Sequence, residues 1–294
     1  MQRELQPLTG VYYVLMAGTL WSIMGLGIRL MGNADVWQIL LYRSISLVIF
    51  LYFVILIRSK KNPIRIIFHF HKATFIAAIG LFIAYSGGIY SVQHTTVANA
   101  MLLFASAPFI TTILAYFILK EKIQYYTLIA IILAVIGIGI MVIESIESGS
   151  LKGSLAGVIS AFGFSIFTIA LRLGKHGDML PSVFLSGLLA ISLTTLICSY
   201  QGLELLLEPH DAILALGLGI FQVGLGLVFY TIGSKTVPAA ELTLLSLAEV
   251  LLGPFWVWLF LGEKTSQLTL LGGAVLFTAI IYNSTMFVKI RKRK

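Results

Sequence analysis

The residue of this sequence with the most to do chemically is Glu249, an acid set deep in an apolar stretch between Leu245 and Pro254. A central acidic side chain costs about 2.5–3.5 kcal/mol to insert into a membrane, so it must face a partner, a bundle interior or a wet cavity. There it would bind a cationic group of a substrate, or take and release a proton. The competing role is structural, holding a neighbouring helix by hydrogen bonds, and the residues alone weigh the two equally. Arg43 is the matching cation inside another apolar stretch. It suits a carboxylate ligand, an acidic partner or a gating role, although arginine also snorkels to headgroups as a helix anchor, the reading favoured here. Pro108 and Pro254 join these two as coupling or gating candidates. A proline inside a helix removes a backbone hydrogen bond and kinks it, which lipid tolerates only beside protein or cavity water. Trp21, Tyr85, Tyr90, Phe164, Gln222 and Tyr230 complete, with Glu249, the expected substrate pocket, an apolar body carrying a few polar contacts. Single membrane aromatics more often serve packing or the interfacial belt, to which Trp37, Trp256 and Trp258 are assigned.

Catalytic apparatus is missing from the same survey. The histidines His69, His71, His94, His176 and His210 fall in expected loops and form no His-x-x-x-His or His-Glu-x-x-His pair. Asp178 has no second buried aspartate beside it for an acid dyad. Neither a Gly-x-Ser-x-Gly elbow nor a Gly-Lys-Ser/Thr phosphate loop occurs, so no catalytic residue, metal site, cofactor or ATPase motor is expected. The lone Cys198 excludes an internal disulfide. An intramembrane lipid-modifying enzyme and a passive channel remain as alternatives to a carrier, the enzyme far behind.

Side chains like these need elements that hold them at depth. Hydrophobic residues make up 59% of the 294 and charged ones 11%, with mean hydropathy +0.98, whereas soluble domains are about a quarter charged. Apolar runs fall at 9–31, 36–57, 73–92, 97–119, 124–143, 153–174, 180–200, 212–233, 239–261 and 266–288. A spanning helix takes about 20 residues. The expected fold is therefore an all-α integral membrane protein with ten transmembrane helices and loops too short for a soluble domain. The segment Met1 to Pro7 carries no sign of a cleaved signal peptide.

The net charge of +8 belongs to topology and not to nucleic acid. With the N-terminus inside, the inner segments hold Arg3, Arg58, Lys60, Lys61, Arg65, Lys72, Lys120, Lys122, Arg172, Lys175, Lys235, Lys289, Arg291, Lys292, Arg293 and Lys294. Only Arg29, Lys152 and Lys264 stay outside. The bias of lysine and arginine toward cytoplasmic loops then places both termini in the cytoplasm of a multi-pass protein of the cytoplasmic membrane.

The chain also repeats itself. At an offset of 143, Gly10, Ser22, Ile23, Arg29, Leu30 and Asp35 recur as Gly153, Ser165, Ile166, Arg172, Leu173 and Asp178, with Trp21 answered by Phe164. Near 140, Tyr90, Thr96 and Val97 recur as Tyr230, Thr236 and Val237, and Glu121, Lys122, Thr127 and Leu128 return as Glu263, Lys264, Thr269 and Leu270. Two five-helix repeats result, 1–146 and 147–294. An odd helix count inverts the second against the first, with a substrate site near the midplane between them. Gly137, Gly139, Gly272 and Gly273 mark close packing of the fifth and tenth runs.

Taken together, the chain resembles the drug/metabolite transporter superfamily in its EamA branch. The resemblance rests on the ten-run duplicated pattern, on Gly18-Thr-Leu-Trp-Ser22, on Arg43, and on Leu119-Lys-Glu121 and Leu261-Gly-Glu263 closing the fourth and ninth runs. The stretch Leu259-Phe-Leu-Gly-Glu263 after Pro254-Phe-Trp-Val-Trp258 is especially close, while Lys120 replaces the usual glycine in the first copy. It implies a carrier of small organic solutes, with runs 1, 3, 4, 6, 8 and 9 lining a central cavity and runs 5 and 10 peripheral. Glu121 and Glu263 are implied to be caps or gates. The expected function is secondary transport of a small metabolite, amino acid-like or otherwise amphiphilic, by alternating access. The expected partners are that small molecule and the lipid bilayer, with room for a homodimer and none for nucleic acid.

Overall fold

Every regular element in the structure, a computed structural model that describes residues 7–59, 72–173, 180–234, 237 and 245–291, is helical. Arg3, Lys60, Lys61, Arg65, Lys175, Asp178, Lys235, Thr236 and the tail Lys292 to Lys294 lie outside the described residues. Lipid offers the backbone no hydrogen-bond partners, so apolar runs of this length close their polar groups within helices. The first run is α1 (Pro7–Trp21) followed by α2 (Met24–Leu30). Then come α3 (Val36–Ser59), α4 (Lys72–His94), the pair α5 (Val97–Phe104) and α6 (Ala107–Leu119), α7 (Tyr125–Glu147), α8 (Leu151–Leu173) and α9 (Leu180–Gln201). The eighth run is α10 (Pro209–Gly217), the π-helical α11 (Leu218–Leu225) and α12 (Gly226–Gly233); α13 (Ala248–Leu261) and α14 (Gln267–Arg291) finish the chain.

Among the described residues, eight spans, from Thr9–Leu30 to Pro209–Gly233, are long and apolar enough to cross a bilayer. The protein is therefore a multi-pass membrane protein. The described parts of the ninth and tenth runs add the apolar helical stretches Ala248–Leu261 and Gln267–Asn283.

Helices pack on helices of the other sequence half. Counterpart runs of the two halves and their neighbours meet in the pairs α4 with α8, α1 with α12, α3 with α9, α7 with α14 and α5 with α13. Advancing every helix by five runs turns this set into itself, so the third-with-sixth contact becomes the eighth-with-first. Small residues permit the close approaches. A Cβ on Gly80 would stand 2.7 Å from the Gly163 carbonyl oxygen, and one on Gly163 would stand 2.6 Å from that of Gly80. The expected glycine contact of α7 and α14 is present between Gly137 and Gly272, with the same reciprocity, whereas Gly139 meets nothing within 4 Å. Thr127, at the start of α7, donates to Asn283 Oδ1 near the far end of α14 at 2.9 Å. Thr269, at the start of α14, donates to Glu144 Oε2 near the far end of α7 at 2.8 Å. These two counterpart helices therefore run antiparallel.

The fourth and ninth runs close alike. Lys120 and Gly262 both follow their helices in the left-handed conformation, at φ 57° and 66°. Each donates its N–H to a carbonyl four or five residues back, Lys120 to Ala115 and Gly262 to Trp258. The non-glycine residue at this turn is thus the departure from the family pattern noted in the sequence.

Candidate functional site

Four departures from α-helical geometry gather around one internal space. The first run breaks at Ser22, whose hydroxyl turns back to the Thr19 carbonyl at 2.6 Å and accepts the Trp256 indole N–H at 3.0 Å. Trp256, assigned by sequence to the interfacial belt, instead braces this break. The fourth run breaks at Ala105 and Ser106, with the Ser106 hydroxyl donating to the Leu103 carbonyl at 2.7 Å. The ninth breaks at Leu247, the repeat counterpart of Ala105. The eighth widens into the π-helical α11, a form that concentrates at functional sites. Discontinuous membrane helices are where transporters build midplane sites, because the freed backbone groups must face protein or a cavity.

That cavity is lined from α1, α2, α3, α4, α5, α8, α11, α12 and α13, which are runs 1, 2, 3, 4, 6, 8 and 9. The cavity volume is about 80 Å³, against about 10–15 Å³ for one water. It therefore admits several waters or a small solute. Among the described residues, runs 5 and 10 contribute nothing to its wall; run 2, which the resemblance left out, enters through Arg43.

Of the residues singled out by sequence, Trp21, Arg43, Tyr85, Phe164, Gln222 and Glu249 converge on this wall. Trp21 and Phe164 meet edge to face with centroids 6.0 Å apart. Tyr230 stands one layer behind, fully buried, its ring 5.2 Å from Trp21 and 6.0 Å from Phe164. Tyr90 is absent from the wall and stacks on His94 at 3.9 Å. On α4 the wall is made by Leu81, Ala84, Tyr85, Gly88, Ser91 and Val92. That stripe has helical spacing, and Tyr90, two residues past Gly88, points to the opposite side.

Two expectations about helix position need correcting. Glu249 is central in its run, yet the break at Leu247 places it in the first turn of α13, 7% exposed. The amides of a helix start favour a negative charge there. Its counterpart in the first repeat is Ala107, so the acid is unique to one half. Pro108, expected to kink the fourth run from within, occupies the first turn of α6, where its missing N–H has no intrahelical partner to lose. Pro254 does lie inside α13. Neither proline lines the cavity.

Arg43 is 2% exposed and so is no headgroup anchor. Its guanidinium lies over the Tyr85 ring at 4.9 Å, and Nη1 approaches the Met24 sulfur at 3.8 Å. The α11 backbone closes on α3 here because Gly219 has no side chain: a Cβ would overlap the Arg43 carbonyl and the Ser46 hydroxyl. Ser46 in turn donates to the Leu216 carbonyl at 2.8 Å, tying α3 to α10.

Sequence reading passed over Met24, Ser91 and Ser160 on the wall. The spacing 81, 84, 85, 88, 91, 92 along α4 held the signal for Ser91. Ser160, whose hydroxyl donates to the Ala84 carbonyl at 2.7 Å, carries no pattern of its own.

At the ends of the bundle, both expected gate glutamates are engaged by arginines from the other repeat. Arg29 meets Glu263 at 2.9 Å and also donates to the Thr95 carbonyl at 2.7 Å, while Glu263 accepts the Val97 N–H at 2.7 Å. Arg172 meets Glu121 at 2.6 Å.

The EamA-like transporter family matches this sequence twice, over residues 8–143 and 151–285. A transporter of Clostridium kluyveri, itself named as uncharacterized, is 26% identical over 207 residues, covering 66% of this chain and 65% of its own. One of the same description from Archaeoglobus fulgidus is 24% identical over 206 residues, covering 69% of this chain and 73% of its own. Human solute carrier family 35 member G1 is 24% identical over 300 residues, covering 93% of this chain and 78% of its own. A crystal structure with TM-score 0.68 and 16% identity, covering 96% of this chain and 99% of that one, shares the fold. The chain thus spans just under two thirds of the Clostridium kluyveri relative.

Proposed function

Because this chain belongs to the EamA-like transporter family, we propose that it is a secondary transporter that moves a small organic metabolite, amino acid-like or otherwise amphiphilic, across the cytoplasmic membrane by alternating access. The observation that carries this is the meeting of four helix interruptions at one cavity that holds Glu249 and Arg43. A site of that kind, between two duplicated halves, suits a carrier.

The reading has ten helices in two inverted copies, 1–146 and 147–294. Support comes from the double family match, the packing pairs that map onto themselves, and the antiparallel run of α7 against α14. Inverted copies exchange conformations, so an inward-open form implies an outward-open twin. In this reading Trp21, Tyr85, Phe164, Gln222 and Glu249 contact the solute, Tyr230 supports their rings, and Glu249 and Arg43 couple binding to movement. The excess of lysine and arginine in alternate loops supports cytoplasmic termini.

Counterflow of a metabolite library in vesicles holding the purified protein is the test. Exchange that saturates with solute is the expected result, and Glu249→Gln is expected to alter both its rate and its pH dependence. Unchanged rate and pH dependence in that variant would remove the proton role. Ion-like conductance without counterflow would replace the carrier by a channel. Modification of Lys264 and of the C-terminal lysines by one impermeant reagent from the same side would break the inverted arrangement.

A further inference from the structure

Arg43 and Glu249 share one cavity, yet neither takes part in the ion pairs found among the described residues. Arg43 Nη2 is buried and has no hydrogen-bond partner, and the contacts given to the rest of the guanidinium are soft, a ring face and a thioether. A guanidinium stays charged and presents its donors in a flat fork that fits a carboxylate. Held this deep without a protein anion, it calls for one brought in from outside. Glu249 poses the complementary demand from the start of α13. Two more wall atoms, Gln222 Oε1 and Ser91 Oγ, are buried without partners, and both can accept hydrogen bonds. Native proteins seldom leave such atoms unsatisfied.

Resting on the carrier reading above, we infer that the solute is a zwitterion, its carboxylate held by Arg43, its cationic amine by Glu249, and its apolar body set against Trp21 and Phe164. Charge pairing selects this class. A monoanion leaves Glu249 buried and unpaired, and a monocation does the same to Arg43. A phosphate dianion meets one guanidinium and is repelled by Glu249. A zwitterion neutralises both site charges and leaves none over. Its ammonium has three donors, so Gln222 Oε1 and Ser91 Oγ take what Glu249 does not.

The test uses the full chain in lipid vesicles and counterflow of radiolabelled L-leucine, L-phenylalanine, L-methionine and L-threonine. Their methyl esters, which lack the anion, and their N-acetyl forms, which lack the cation, serve as competitors. The free amino acids exchange, and each blocked form competes about a hundredfold less well, as a site built for a polar group rejects the analogue without it. Arg43→Gln erases the preference for free acid over ester, and Glu249→Gln erases that for free amine over N-acetyl. The proposal is overturned by blocked forms that compete as well as their parents, by variants that keep both preferences, or by no exchange of any of the four. The comparison of competitors on the unaltered protein decides even where a variant does not fold. Counterflow of uncharged or singly charged metabolites without that of zwitterions keeps the carrier and overturns this inference. No counterflow of any solute overturns both.

Discussion

Arg29 reaches across the repeat boundary to Glu263, Nε to Oε2 at 2.9 Å, and their counterparts Arg172 and Glu121 repeat the contact at 2.6 Å. One sequence relationship, an arginine ending the first run of a repeat and a glutamate following the fourth, yields two latches between the halves. The Arg29 latch is the more knitted, because both partners also bond the backbone at Thr95 and Val97. Double-mutant cycles of thermal unfolding in detergent should give a coupling of about 1–3 kcal/mol for Arg29 with Glu263. The more exposed Arg172 and Glu121 should couple by about 1 kcal/mol or less. Equal couplings would show that the backbone bonds add nothing.

The two prolines separate cleanly. Pro254→Ala restores a donor inside α13, the helix that carries Glu249, so counterflow should slow while thermal stability holds or rises. Pro108→Ala changes a first-turn residue and should leave rate unaltered and stability within about 0.5 kcal/mol. Rates for the two variants measured side by side decide the matter, and a loss confined to Pro108→Ala would reverse the assignment.

Lys120→Gly should stabilise the protein by about 0.5–1 kcal/mol. Lys120 holds φ 57°, where its Cβ is strained and a glycine, as at Gly262, is not. A thermal unfolding midpoint in detergent that does not rise would contradict this.

Gly163→Ala sets a methyl 2.6 Å from the Gly80 carbonyl oxygen. Backbone cannot yield as a side-chain tip does, so the α4 and α8 pair must separate, at about 1–3 kcal/mol. Gly139→Ala, which meets nothing within 4 Å, is the control and should be neutral or better. Unfolding midpoints that fall equally for both would refute the close packing.

Gly219→Ala drives a methyl into the Arg43 carbonyl and the Ser46 hydroxyl. The α11 segment must shift off α3 and displace Arg43, so transport should fall at least tenfold, on the scale expected when a site is misplaced by about 1 Å. Wild-type counterflow from a well-folded Gly219→Ala protein would detach the π-helical segment from the site.

Amino-acid sequence alone was enough for the membrane setting, the duplication and the family. Each follows from local, additive signals: apolar runs of spanning length, loop charge, and recurring residues such as Arg29 with Arg172 and Glu121 with Glu263. Five of the pocket candidates, among them Glu249, and the gating candidate Arg43 reach the cavity wall, and all six were legible because polar and aromatic groups are conspicuous in so apolar a chain. What tertiary structure decided was direction and interruption. Tyr90 and Tyr85 read alike in sequence, but the turn of α4 sends one to the cavity and the other to His94. Glu249 reads as mid-helix, yet a break at Leu247, which no proline or glycine announces, makes it the first turn of α13. Trp256 reads as an interfacial residue until its indole is found on Ser22. Helix breaks in lipid are stabilised by contacts from other helices, and such contacts join residues hundreds of positions apart, where no window along the chain can see them.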